Sequence, residues 1–319
     1  MLFALYIASL GTFLQETNLG IDFGHTTLMA LFFADNLLLL SSTPEGGMNK
    51  LLNIVTEFCN DMRMKLSVTK TYILTNAQYN VSWTVEDETI EEILIAKYLG
   101  VNIQLRGRLI IGKYEENVIK RATNYAYSIM NLSGSVLDRA IVAKRLWEAC
   151  AISAILYCSE AMVFKQSTIH ELERVQNMVG RFILQLPRSS SNIVGWLDAG
   201  LLPMENRIQN HQAVCIWTVM KTKENITLQS FLRELLNHQS DDYTKNWFRI
   251  QKDIWIITNF EKKKQLTKAL VDRAVTRVLE TMCTLPQPWE WFKIQPYVSD
   301  THASKTMSRV RAVNAQLGN

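Results

Sequence analysis

The stretch that decides the fold is Phe32-Phe33-Ala34-Asp35-Asn36-Leu37-Leu38-Leu39-Leu40, in which a single carboxylate stands at a two-residue break between two runs of large apolar residues. Apolar runs of this length, separated by turn-prone Asp and Asn, read as two buried strands of a tight hairpin with Asp35 at its tip. A charge in that place has two readings. It is a site for a metal or a proton, or it is a turn aspartate that hydrogen-bonds its own backbone.

The sequence outside the hairpin supplies the order in which to read it. After Thr43-Pro44-Glu45 come Leu51, Leu52, Val55, Phe58 and Cys59, an apolar set at helical spacing with proline at the helix start. That helix is expected to end near Met64, before Lys65-Leu66-Ser67-Val68-Thr69-Lys70-Thr71. Ala96-Lys97-Tyr98-Leu99-Gly100-Val101 reads as a second hairpin. The first hundred residues thus mix strand and helix, and the remainder is mostly helical.

Phe33-Ala34-Asp35-Asn36 resembles the FADD metal box of the reverse transcriptases of non-LTR (LINE-type) retrotransposons, with Asn36 in place of the second aspartate. Met64–Thr71 resembles the family's LKINxxKT segment, and Lys97–Val101 its KYLGV primer-grip hairpin. Ala154–Glu160 resembles LLYGSE. Leu172-Glu173-Arg174-Val175-Gln176 with Arg181–Pro187 resembles the LExVQ and RxILxLP region beyond the thumb, and Gly195–Pro203 resembles ELGLLPL. These matches keep the family's order.

The resemblance implies an α+β chain. Residues 1–104 would be part of a polymerase palm, 105–187 a helical thumb, and 188–319 a helical carboxy-terminal extension. It also implies RNA-directed DNA polymerase activity in an intact relative, on an RNA template and a DNA primer, with Mg2+ and deoxynucleotides. Asp35 would be a catalytic metal ligand, Asn36 a degenerate ligand position, and Lys70 the candidate general acid toward the departing pyrophosphate. Lys97, Tyr98, Leu99 and Gly100 would form the primer grip.

Chemistry sets a limit on that inheritance. Two-metal phosphoryl transfer needs at least two placed carboxylates, and a single one holds Mg2+ weakly. Before Asp35 the acids are Glu16 and Asp22, neither in the family's upstream strand motif. The Gln-Gly motif that precedes the first helix in the family is also absent, so the chain is expected to begin inside a palm and to lack its amino-terminal polymerase half as a partner. No polymerase activity is expected from it alone. The rival reading is a non-catalytic nucleic-acid-binding relic or repurposed protein; a helical scaffold unrelated to polymerases is a third.

Charge gives an argument independent of resemblance. Residues 1–104 hold 5 Lys/Arg and 11 Asp/Glu, whereas residues 105–319 hold 29 and 19, so a net charge of +4 hides an acidic and a basic part. A basic part suits nucleic-acid backbone. In 112–132, Tyr114, Val118, Ala122, Tyr125, Ile129 and Leu132 share a helical face, with Lys113, Lys120 and Asn124 opposite. In 168–186, Leu172, Val175, Val179, Phe182 and Leu186 form the expected buried stripe. Arg174 and Arg181 stand away from it, with Arg188 just beyond. Lys113, Lys120, Arg174, Arg181 and Arg188 are the candidate backbone contacts.

Interleaved aromatic and basic residues in 243–266 read either as a single-strand clamp or as bundle core, and prolines 286, 288 and 296 as a loosely packed tail. The five cysteines are widely spaced and form no CxxC or Cys/His cluster, which supports neither a zinc site nor a disulfide framework. No basic residue precedes the apolar amino-terminal run, so neither a signal peptide nor a membrane span is expected, and an intracellular location is.

Overall fold

The computed structural model describes residues 2–23, 26–75, 82–86, 88–103, 111–135, 138–190, 192, 198–221, 228–230 and 262–283. It is α+β and mostly helical, with small two-stranded sheets. Two compact units are formed, Met1–Ile110 with Lys223–Ser240, and Ile111–Thr222 with Asp241–Asn319. Of the expected clamp at 243–266, residues 243–261 lie outside the described residues, as does the proline-bearing tail; of the rest, Leu266 is buried.

In the first unit, α1 (Leu2–Gln15) and α2 (Asn49–Asp61) supply the core. The helical spacing read from the sequence holds at every position: Leu51, Leu52, Val55, Phe58 and Cys59 are the buried residues of α2. Leu51, Val55, Phe58 and Cys59 pack with Leu10 and Leu14 of α1, each large side chain contributing about 1.5–3 kcal/mol on leaving water. Leu52 faces a second cluster with Ile73, Trp83, Val85 and Ile90. Those residues belong to or flank β5 (Tyr72–Ile73), parallel to β8 (Glu91–Glu92), and the β6–β7 hairpin (Thr84–Val85, Glu88–Thr89).

β3 (Ala30–Phe33) and β4 (Asn36–Leu39) form the expected hairpin, with Phe33 paired to Asn36 across a two-residue turn. Its strands are not buried, contrary to the sequence reading. The register puts Ala30, Phe32, Leu37 and Leu39 on one face, and Ala30, Leu37 and Leu39 pack on the α1–α2 core. The other face carries Leu31 and Phe33, and Phe33 is 60% exposed. A two-stranded sheet covered by helices on one side leaves its other side to solvent. β1 (Ile21–Phe23) and β2 (Thr26–Leu28) pair separately, Thr27 donating to Asp22 across the ladder at 2.6 Å.

The second unit is helical. α3 (Ile111–Ser133) packs on α6 (Gln166–Leu184), and between them runs a helical stretch of α4 (Arg139–Leu146), a π-helical turn (Trp147–Ile152) and short α5 (Ser153–Leu156). α7 (Met204–Lys221) packs on the turn Ser159–Ala161 and on α8 (Lys263–Cys283). Trp147 is fully buried.

Two stripe assignments need correction. In α3 the buried face is Tyr114, Val118, Ala122, Ala126, Ile129 and Ser133, while Tyr125 is half-buried and Leu132 is 68% exposed. In α6 Phe182 is half-buried, and Ile183 and Leu184 are buried instead. Each misplaced residue lies at the edge of its apolar stripe, where 3.6-residue periodicity does not choose between neighbours.

Candidate functional site

Asp35 sits at the exposed tip of the β3–β4 turn, and Ala34 before it takes φ +51°, the left-handed conformation that two-residue hairpin turns demand at a central position. The neighbour of its carboxylate is the Asn36 amide, whose Nδ2 donates to Asp35 Oδ1 at 3.4 Å. Among the described residues no three His, Cys, Asp or Glu side chains gather as a metal-holding group. One exposed carboxylate with an amide donor against it does not fit a two-ion magnesium centre, which needs several negatively charged oxygens converging.

Lys70 closes a 3-10 turn (Val68–Lys70) ahead of β5 and is exposed. Lys97 and Tyr98 lie on β9 (Ala96–Tyr98), which pairs with β10 (Val101–Ile103). Leu99 and Gly100 form the turn between them with φ of +47° and +83°. Both central residues in the left-handed region are the signature of a primed hairpin turn, and glycine takes that conformation at no steric cost. Lys97 is exposed and Tyr98 half-buried, and burial raises the Tyr98 phenol above its ordinary pKa.

The five candidate backbone cations differ in their surroundings. Lys113, Lys120 and Arg188 are exposed. Glu116 is exposed on the same helix between the two lysines, so α3 carries a mixed face rather than a basic stripe. Arg174 pairs with Glu171 one turn earlier at 2.6 Å. Arg181 folds back onto the following loop, donating from Nε to Ser190 O at 3.3 Å and from Nη2 to Asn192 Oδ1.

The sequence reading missed the polar joints that hold the helical unit. Gln176 Nε2 donates to Leu202 O at 2.9 Å, and its Oε1 accepts from the Trp147 indole at 3.4 Å. Glu173 accepts from the Met204 amide at 2.6 Å and from Gln176 at 3.2 Å. Arg207, whose side chain is 10% exposed, forks onto Glu148 with contacts of 2.6 and 2.8 Å and donates to Leu202 O at 2.9 Å. Glu115, 3% exposed, accepts from the Lys165 amide at 2.6 Å and so satisfies a donor at the start of α6. The signal was present in the sequence as acids and amides spaced among apolar stripe positions.

A second cluster gathers at the turn before α7. His211 Nδ1 lies 3.0 Å from Ser159 Oγ and 3.4 Å from Glu160 Oε2, and the approach of His211 holds the Glu160 carboxyl below its ordinary range. Hydroxyl and carboxylate approach the same ring nitrogen. A nucleophilic relay needs them on opposite nitrogens, so this is a joint and not a triad. Burial and the nearby Glu160 raise the thiols of Cys158 and Cys215, the opposite of what a reactive thiolate requires. Gln212 adds bonds to Ser159 O at 3.0 Å and Met162 O at 2.7 Å, and buried Tyr114 donates to Tyr157 O.

No family model, curated protein or solved structure matches the chain. Among the described residues, no helix is long and apolar enough to cross a membrane.

Proposed function

We propose that this chain is a nucleic-acid-binding protein of the non-LTR reverse transcriptase type, whose helical unit acts as a thumb on an RNA–DNA duplex and which does not by itself carry out templated synthesis. One observation carries most of the support. The segment resembling LExVQ and the segment resembling GLLP, separated by 26 residues between Gln176 and Leu202, meet through the side chains of Glu173 and Gln176. Segments picked out by one family's pattern thus have a physical reason to occur together.

Backbone conformation adds to this. Cys158 takes φ +61° where the LLYGSE pattern has glycine, and Gly100 takes φ +83° within the segment resembling KYLGV. The inactive half of the proposal rests on Asp35, beside which Asn36 offers an amide. No step is assigned through magnesium. The exposed Leu5, Tyr6 and Phe13 of α1 with Leu31 and Phe33 of β3 suit cover by further polypeptide, such as the remainder of a palm.

Fluorescence anisotropy of a labelled RNA–DNA hybrid duplex over a salt series tests the reading. Binding should weaken with a linear log–log dependence, and the pair Lys113→Glu with Lys120→Glu should lower affinity and reduce the slope by roughly one for each phosphate that is no longer neutralised. Absence of duplex binding, or binding indifferent to salt and to both substitutions, sinks it.

A further inference from the structure

α4 begins with Arg139, and the guanidinium of that residue lies over the ring of Phe182 on α6, its central carbon 4.9 Å from the ring centroid. Nε and Nη2 are both buried, and no described residue accepts a hydrogen bond from either. These two nitrogens form one edge of the guanidinium. Their N–H bonds point the same way and match two oxygens of a single oxyanion.

The local charge leaves that edge without an internal answer. α4 carries Arg139, Lys144 and Arg145 and no acid, and Asp138 before it makes no side-chain cap on the helix. Leaving a charged donor buried and unpaired is costly, so a position of this kind is held at the expense of stability. Stacking on Phe182 fixes the orientation of the fork before any ligand arrives.

We infer that Arg139 is a phosphate-binding residue, taking one phosphate of the nucleic-acid backbone bidentately through Nε and Nη2. The inference rests on the duplex-binding reading above and adds to it a contact that sequence periodicity does not single out. Arg139 as a whole is part-exposed while the two nitrogens are not. The phosphate therefore reaches the fork by displacing local cover, unlike the open approach to Lys113 or Lys120.

The full chain, the variant Arg139→Lys and the variant Arg139→Gln are compared on the same hybrid duplex across a salt series. Lysine keeps the charge and loses the fork. Arg139→Lys should weaken binding about tenfold with the salt slope unchanged, and Arg139→Gln should also lower the slope by about one. In wild-type protein labelled with 15N-arginine, the Nε–H resonance absent from the Arg139→Lys spectrum, or from that of Arg139→Gln if the lysine variant folds poorly, should move downfield on adding duplex. Wild-type affinity in Arg139→Lys, or an unmoved Nε–H resonance at saturating duplex, overturns the assignment. Failure of the wild-type chain to bind duplex at all overturns the underlying reading instead.

Discussion

Cys158 holds a left-handed backbone conformation with φ +61° between Tyr157 and Ser159, at the place where the chain leaves α5 for the turn under α7. A side chain with a Cβ pays about 1–2 kcal/mol to stay there. Cys158→Gly should therefore leave stability unchanged or raise it by about 0.5–1 kcal/mol, whereas Cys158→Val should lower it, as read from urea unfolding midpoints. Glu160, the next acid along, has its pKa lowered chiefly by the His211 ring beside it, 3.4 Å from Oε2. A carboxyl depressed in the folded state contributes stability above its unfolded pKa, and that contribution is lost as pH falls through the folded value. Stability followed by urea titration in the acid range should drop less steeply in Glu160→Gln than in wild type. Parallel acid limbs in the two proteins count against this role for the pair.

The joint between α6 and the segment leading into α7 depends on side chains that no apolar pattern reveals. Gln176 is fully buried and satisfies Leu202 O and the Trp147 indole together, so Gln176→Ala strands the buried indole N–H, leaves Leu202 O to Arg207 alone and opens a small cavity. A loss of about 2–4 kcal/mol is expected in equilibrium unfolding, and a change under about 1 kcal/mol would show that the joint is not structural. The apolar periodicity of α2 was legible to the residue, because its five buried positions form one continuous stripe even though they meet two clusters. That of α3 and α6 was legible at stripe centres only. Leu132 and Phe182 lie at stripe edges, where one is left exposed and the other is half-buried under Arg139.

Over the whole molecule, charge and carboxylate geometry point in different directions. The excess of Lys and Arg after residue 104 favours nucleic-acid backbone, while Asp35 stands exposed beside an amide. Replacing that amide by the carboxylate of the FADD pattern it resembles does not gather further ligands. Asn36→Asp, like wild type, should give no templated extension of a primed RNA with Mg2+ or Mn2+. Extension by either chain, resolved on a sequencing gel, would reverse the inactive half of the proposal. The sequence by itself determined the α+β class, both tight hairpins, the α2 core face and the order of family-like segments. Those follow from local periodicity and turn chemistry, which act over a few residues. Only the tertiary structure decided that the hairpin's Phe33 face is open, that Arg174 and Arg181 are engaged within the chain, and that Glu173 and Gln176 clasp residues beyond the next loop. The last depends on groups 26 and 31 residues away in the chain, and the others on which of several neighbours a side chain turns to, which local periodicity does not decide.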